Sequence, residues 1–112
     1  IASSLKGIDN SFCFYGAGVT TPRTDTNFAP IVLLEKVSGN LNFICGSADD
    51  LIPLKDRLEI KKMFKKFDPL EERFSYIEIE GADHGFMCEE RESFDKAASL
   101  TGWNLLMKEL IN

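Results

Sequence analysis

The sequence predicts an α/β fold in which three parallel strands alternate with helices. Short apolar runs that end near glycine or acidic residues alternate along the chain with segments of helical periodicity. Two of these runs are almost continuously apolar, which is typical of strands in a parallel sheet covered by helices. The length of 112 residues corresponds to about one domain. We therefore expect residues 1–112 to form a single α/β unit.

The three predicted strands cover residues 12–16, 41–46 and 74–79. The first is an aromatic run that ends on Gly16, and we expect it to be buried on both faces. The second also ends on glycine, at Gly46. The third alternates imperfectly between apolar and polar residues, which favours a position near an edge of the sheet.

Two helices are predicted between the strands. Pro30 opens a short helix over residues 30–36 and Gly39 closes it, because proline is favoured at the first helical position. Residues 54–67 have an apolar stripe at helical spacing, with the lysines on other faces. The stripe consists of Ile60, Met63, Phe64 and Phe67. The Asp68-Pro69 pair ends this helix.

A last helix is predicted over residues 93–111. Large apolar residues at helical spacing are expected to line its main buried face: Leu100, Trp103, Met107 and Leu110. Ala97 and Ala98 are expected to allow close approach of the backbone. The order of elements is therefore strand, helix, strand, helix, strand, helix, with right-handed crossovers.

Composition and charge exclude several classes of function. The formal net charge is −5, whereas nucleic-acid binding requires a basic face, so we expect no nucleic-acid partner. The longest aliphatic run, residues 31–34, is far shorter than the roughly 20 residues of a membrane-spanning helix. We therefore expect no membrane segment.

Cysteine usage indicates reduced thiols. The three cysteines stand at positions 13, 45 and 88, an odd number without paired spacing, whereas disulfide frameworks and zinc ribbons need even counts or close pairs. His84 and Cys88 alone lack the further ligands of a zinc site. We expect no metal, no cofactor and a cytoplasmic location.

Two loops after the second and third strands carry the candidate catalytic residues. Residues 46–53 contain Asp49 and Asp50, and residues 81–86 contain His84, the single histidine. In open α/β sheets, sites form beyond the carboxyl ends of the strands, so both loops open at the same edge. An acid there could accept the Nδ1–H of His84 and leave Nε2 free to act as a base.

The two loops resemble the acid and histidine motifs of the dienelactone hydrolase family of α/β-hydrolases. The matching patterns are Gly46-x-x-Asp49-x-x-Ile52-Pro53 and Gly81-Ala82-x-His84-Gly85-Phe86. The Tyr15-Gly16 strand end and the last helix also resemble that family, so the likeness covers nearly the whole chain. The acid precedes the histidine, as in α/β-hydrolases, where the nucleophile comes first. The resemblance implies the C-terminal part of an α/β-hydrolase fold.

By this resemblance, Asp49 is the acid of a catalytic triad and His84 its general base. The implied substrates are small esters, lactones or thioesters. Asp50 is the competing acid, and it could instead cap the helix that starts near Pro53. Asp83 is expected to form a turn beside the histidine.

The nucleophile expected of this family is not found in the sequence. No Gly-x-Ser-x-Gly or Gly-x-Cys-x-Gly elbow occurs in the 112 residues. The family likeness implies that Ile1 lies near the end of the helix that follows the elbow, with the nucleophile a short distance upstream. Cys88 is a weak candidate, since no base and donor pair is evident around it.

Cys88 also stands where dienelactone hydrolases carry an arginine that helps hold the substrate carboxylate. Arg91 is a possible replacement, or a solvated charge near the start of the last helix. The family likeness therefore does not establish dienelactone as the substrate.

A second hypothesis is a non-catalytic interaction module that uses an open edge of the sheet. A three-stranded parallel sheet leaves two edges, which favour a partner or a homodimer. This hypothesis explains the short chain but not the hydrolase spacing of acid and histidine. The upstream reading frame separates the two, because an elbow there would support the hydrolase.

Overall fold

The computed structural model describes residues 2–4 and 6–111, and its centre is a parallel sheet of three strands in the order β1-β2-β3. The strands are β1 (Asn10–Phe14), β2 (Asn40–Gly46) and β3 (Phe74–Ile79). Asn10 pairs with Asn40, and Leu41 pairs with Phe74. The predicted α/β class with three parallel strands is confirmed.

Helices follow β2 and β3, as predicted. Helix α1 (Leu54–Phe67) has the bounds expected from its apolar stripe, and α2 (Lys96–Ile111) completes the chain. The predicted helix between β1 and β2 is a 3₁₀ helix, Pro30–Lys36, whose last N–H bond runs from Val37 to the carbonyl of Leu34. That bond spans three residues, as is typical of short 3₁₀ segments. A further 3₁₀ turn covers Ala2–Ser4.

Two apolar clusters cover the two faces of the sheet. Because side chains alternate along a strand, Phe43 and Ile44 of β2 point to opposite faces and belong to different clusters. The first cluster contains Ile60 and Phe64 of α1, as the sequence predicted. The second contains Ala98 of α2. The sheet therefore lies between α1 on one side and α2 on the other.

The face of α2 that meets the sheet is not the predicted one. Its buried residues are small: Ala98, Ser99 and Gly102. The predicted buried residues Leu100, Trp103, Met107 and Leu110 are between 44% and 69% exposed. A Cβ added at Gly102 would crowd the side chains of Met87 and Phe14, so the helix approaches the sheet through its small residues. In the part of the chain that the structure describes, the large apolar residues of α2 are consequently exposed.

The start of α2 is also later than predicted. The helix begins at Lys96 rather than near Ser93, because the carboxylate of Asp95 accepts the backbone N–H of Ala98, 3.0 Å away. Asp95 is thus the N-cap. Ala98 is buried as expected, whereas Ala97 is exposed.

Strand β1 is less buried than predicted. Phe12 and Phe14 are half-buried, because β1 has one neighbouring strand among the described residues. The strand ends at Phe14, so Tyr15 and Gly16 lie just beyond it. Strand β3 occupies the other edge, as predicted.

The three cysteines are free thiols, with Cys45 buried, Cys13 half-buried and Cys88 exposed. Burial raises the pKa of both Cys13 and Cys45, so these thiols are kept protonated. Among the residues that the structure describes, no helix combines the length and apolar character needed to cross a membrane.

Candidate active site

The acid loop follows β2 and is closed by hydrogen bonds around Asp49. The backbone N–H of Ile52 donates to the carbonyl of Asp49 at 3.1 Å, and the N–H of Leu51 donates to its Oδ1 at 2.9 Å. The Asp49 residue is only 1% exposed. One carboxylate oxygen is therefore held by the loop itself, which fixes the direction of the other.

The histidine loop follows β3 and is held by side chains on both sides of His84. The backbone N–H of His84 donates to Asp83 Oδ1 at 2.6 Å, and Ser93 Oγ donates to the carbonyl of His84 at 2.6 Å. Gly81 and Gly85 both have φ of +78°, a left-handed conformation that favours glycine. Asp83 thus takes the local turn role that the sequence predicted.

The two loops contact each other directly. Ser47 Oγ accepts the N–H of Gly81 at 2.7 Å, and the N–H of Ala48 donates to the carbonyl of Ala82 at 3.0 Å. A Cβ at Gly46 would collide with the backbone of Ala82, so only glycine permits this approach. The close contact brings the acid and histidine loops into one cluster.

Asp49 and His84 form a hydrogen bond within this cluster. Asp49 Oδ2 lies 2.8 Å from His84 Nδ1. Because an ionised carboxylate only accepts hydrogen bonds, its partner Nδ1 is the donor in this contact, and in a neutral imidazole Nε2 then has a free lone pair. The side chain of Asp49 is fully buried, whereas that of His84 is 24% exposed. The arrangement joins a buried carboxylate to a partly exposed imidazole.

Tyr15 also lies at the site, whereas the sequence indicated a strand end that resembles the family and no contact with the histidine. Its ring centroid lies 5.2 Å from that of His84, in an edge-on contact, and 5.3 Å from that of Phe86. Its φ of +42° is strained for a bulky residue, and its N–H donates to the carbonyl of Ile44 at 2.6 Å. Such strain is typical of functional sites, but the Tyr-Gly sequence by itself does not predict a positive φ at Tyr15.

The competing acid, Asp50, is exposed and lies apart from the histidine hydrogen bond. The expectation that it caps α1 is wrong, since the N-cap is Pro53 and has no side-chain hydrogen bond. The turn from Asp49 to Ile52 places the N-cap three residues beyond Asp50, and the helix starts at Leu54. The geometry therefore pairs His84 with Asp49.

Cys88 and Arg91 lie on the turn after the histidine. Both are exposed. The N–H of Cys88 donates to the carbonyl of Gly85 at 2.9 Å. The guanidinium of Arg91 lies over Gly85, where an added Cβ would be 2.6 Å from Nη1. Arg91 therefore covers the backbone next to His84. The described residues include no group of three or more His, Cys, Asp or Glu side chains placed to hold a metal ion.

This combination of sheet and site defines a class. A parallel α/β sheet whose carboxyl end carries an aspartate bonded to a later histidine is the arrangement of α/β-hydrolases. A model of the dienelactone hydrolase family matches residues 1–112. The chain therefore belongs to the dienelactone hydrolase family.

Two individual comparisons agree with the family. Over 103 residues the chain is 32% identical to a Synechocystis sp. protein whose name is that of a carboxymethylenebutenolidase, covering 92% of this chain and 41% of that protein. A crystal structure from Klebsiella pneumoniae, described by its name as a dienelactone hydrolase, superposes with a TM-score of 0.79 at 16% identity. That match covers 89% of this chain and 40% of the other, and it shows the same fold. The chain thus spans about two fifths of the length of these proteins.

Proposed function

We propose that the intact protein hydrolyses esters, lactones or thioesters of small molecules through a nucleophile–His84–Asp49 triad. The observation that carries this proposal is the 2.8 Å bond from His84 Nδ1 to the buried carboxylate of Asp49. Membership of the dienelactone hydrolase family supports it, as does the name of the Synechocystis relative.

In this mechanism His84 moves the protons. Its Nε2 takes the proton of a serine or cysteine nucleophile as that group attacks the substrate carbonyl, and then returns the proton to the leaving group. A water molecule activated by the same nitrogen hydrolyses the acyl-enzyme. Asp49 keeps the imidazole in the required tautomer and stabilises the imidazolium when it forms.

The proposal places the nucleophile outside the 112 residues. Two observations support this placement: no elbow motif occurs in the sequence, and the chain spans 41% of its Synechocystis relative. The backbone donor that follows the nucleophile in an oxyanion hole then lies outside these residues as well. Residues 1–112 supply the acid, the base and the edge of the sheet that carries them.

The substrate class in this proposal is broader than dienelactone. The exposed Cys88 occupies the position at which the family likeness implies a carboxylate-binding arginine, and a thiol carries no positive charge. Arg91, whose guanidinium covers Gly85 beside His84, is the cation nearest in sequence to that position. We also propose a cytoplasmic location, which the three free thiols support.

The test uses the intact protein and a chromogenic p-nitrophenyl ester. We expect His84→Ala to lower kcat by about 10⁴-fold or more, as for other triads. Asp83→Asn is the matched control, because Asp83 Oδ1 accepts the backbone N–H of His84, whereas the bond to the His84 ring comes from Asp49. Labelling with a fluorophosphonate or with iodoacetamide, followed by peptide mapping, then identifies a serine or cysteine nucleophile. Undiminished activity in His84→Ala would contradict the proposal.

The second candidate is a non-catalytic interaction module. The exposed apolar residues of α2 favour it, as do the two edges of the sheet, β1 and β3, which pair with no further strand among the described residues. The same assay separates the two candidates. An intact protein without esterase activity, unlabelled by either probe and dimeric by light scattering, would support the module and a homodimer.

A further inference from the structure

A buried arginine connects the acid loop to strand β3, which leads into the histidine loop. Arg57 lies on α1, is 8% exposed, and donates from Nη1 to the carbonyl of Ile52 at 3.0 Å. That carbonyl is three residues after Asp49, at the exit of the acid loop. Arg57 Nε lies 3.0 Å from Oε1 of Glu78, on the strand that leads into the histidine loop.

Glu78 is itself held in place by side chains of the sheet. The hydroxyl of Tyr76 donates to Glu78 Oε1 at 2.6 Å, and the Cys45 thiol donates to the Tyr76 oxygen at 3.3 Å. Burial, followed by the hydrogen bonds with Cys45 and Glu78, raises the pKa of Tyr76, so its hydroxyl stays a donor. A continuous chain of polar contacts therefore runs from β2 through β3 to α1.

Net stabilisation is a poor explanation for this ion pair. The Arg57 side chain is withdrawn from water, and its Nε makes no aligned hydrogen bond, so the contact with Glu78 is mainly electrostatic. Pairs of this kind return little stability after the cost of desolvation. A guanidinium does, however, present several donors in a rigid plane, so it can bind a carbonyl and a carboxylate at the same time. The main consequence of the pair is therefore that it fixes the position of Ile52 relative to Glu78.

We propose that Arg57 is a positioning residue for the acid of the triad. This inference rests on the proposed function. By binding Ile52 and pairing with Glu78, Arg57 holds the exit of the acid loop against the strand that precedes the histidine loop. Oδ1 of Asp49 then keeps its bond to the Leu51 N–H, and Oδ2 keeps its direction toward His84. Without the guanidinium, the turn loses its outer anchor and Asp49 faces His84 for a smaller fraction of the time.

The test compares Arg57→Met with Arg73→Met in the intact protein. Arg73 is a matched control, because its Nη1 also donates to a backbone carbonyl, that of Val37 at 2.7 Å, but at the opposite end of the sheet. We expect Arg57→Met to lower kcat by about 10- to 100-fold with little change in KM, the size of effect that misplaced catalytic groups produce. We expect Arg73→Met to lower thermal stability by about as much as Arg57→Met does. It should nevertheless leave kcat within about threefold of wild type.

A second readout reports the Asp49–His84 contact itself. The low-field proton resonance of His84 Nδ1–H, assigned by its loss in His84→Gln, should be lost or broadened in Arg57→Met and in Asp49→Asn. It should persist in Arg73→Met. A kcat loss in Arg57→Met no larger than in Arg73→Met, or a resonance that persists, would overturn the positioning role.

Two further variants keep the test decisive if Arg57→Met does not fold. Glu78→Gln retains an acceptor for Tyr76 but removes the counter-charge, and Arg57→Lys retains the charge without the planar fork. We expect both to lower kcat by about 3- to 10-fold, and wild-type values in both would overturn the proposal. Asp49→Asn separates the two failures. If it leaves activity intact, the triad itself is wrong, whereas if only Asp49→Asn removes activity, the positioning role alone is wrong.

Discussion

Two buried aspartates lie at opposite ends of the sheet and use their oxygens differently. Asp68, just after α1, accepts three backbone N–H groups: Arg73 at 2.8 Å and Phe74 at 2.7 Å on Oδ2, and Glu72 at 3.2 Å on Oδ1. Asp49, just after β2, accepts one backbone N–H on Oδ1. Its Oδ2 faces the ring of His84 instead.

The comparison separates a structural carboxylate from a candidate catalytic one. Backbone N–H bonds from Phe74 and Arg73 lower the pKa of Asp68, and the three bonds to its carboxylate close the turn before β3. Asp49 uses one oxygen to hold its own loop and offers the other to a group that can exchange protons. Burial alone does not distinguish the two residues, whereas the identity of the hydrogen-bond donors does.

The largest effect expected from a substitution of either aspartate is the loss of activity in Asp49→Asn. We expect kcat for ester hydrolysis to fall by about 10³–10⁴-fold in the intact protein, because an amide at this position can hold the wrong tautomer of His84. Asp68→Asn should leave kcat within about threefold. Asp50→Asn is the neighbouring control, and equal losses at positions 49 and 50 would contradict the assignment of the acid.

The next effect tests the contact between the two loops. Gly46→Ala forces a methyl group against the backbone of Ala82. We expect it to lower the free energy of unfolding by about 1–3 kcal/mol and kcat by about 10-fold or more, since the loops must separate. Gly18→Ala is the control, because Gly18 has positive φ but open space around it. Gly18→Ala should lower the free energy of unfolding but leave kcat unchanged.

A smaller effect concerns the pH dependence of stability. The pKa of Asp68 is lower in the folded protein than its ordinary value, so its contribution to stability is complete above about pH 4. That contribution is lost as pH falls through the lower folded-state pKa. We expect Asp68→Asn to lower the thermal midpoint at pH 7. The difference in midpoint between the variant and wild type should shrink as pH falls below about 4. Calorimetry across this range checks it, and a gap independent of pH would contradict the structural role.

The smallest effect is expected for Cys88→Ser. Cys88 is exposed, and the hydrogen bond of His84 Nδ1 runs to Asp49 instead. We expect kcat to stay within about twofold of wild type in the same ester assay, because the substitution changes an exposed side chain away from that bond. A loss of 100-fold or more would return Cys88 to consideration as the nucleophile.

The sequence predicted the sheet and the acid–histidine loops for local reasons. The bounds of α1 follow from a helical pattern that begins after Pro53 and ends before Asp68-Pro69. Because parallel strands end at the same edge, the order of elements alone predicted that Asp49 and His84 lie near each other. The catalytic roles of both residues stay predictions.

The features that the sequence did not predict depend on contacts between distant elements. The prediction of which face of α2 is buried was wrong, because the close approach of Gly102 and Ala98 decided which side meets the sheet. The strained φ of Tyr15 and the Arg57–Glu78 pair likewise arise from neighbours supplied by other strands and helices. Periodicity and turn chemistry therefore determined the elements and the order of the site loops. Only tertiary packing decided which faces are covered and which side chains hold Asp49 toward His84, because those contacts join residues far apart in the chain.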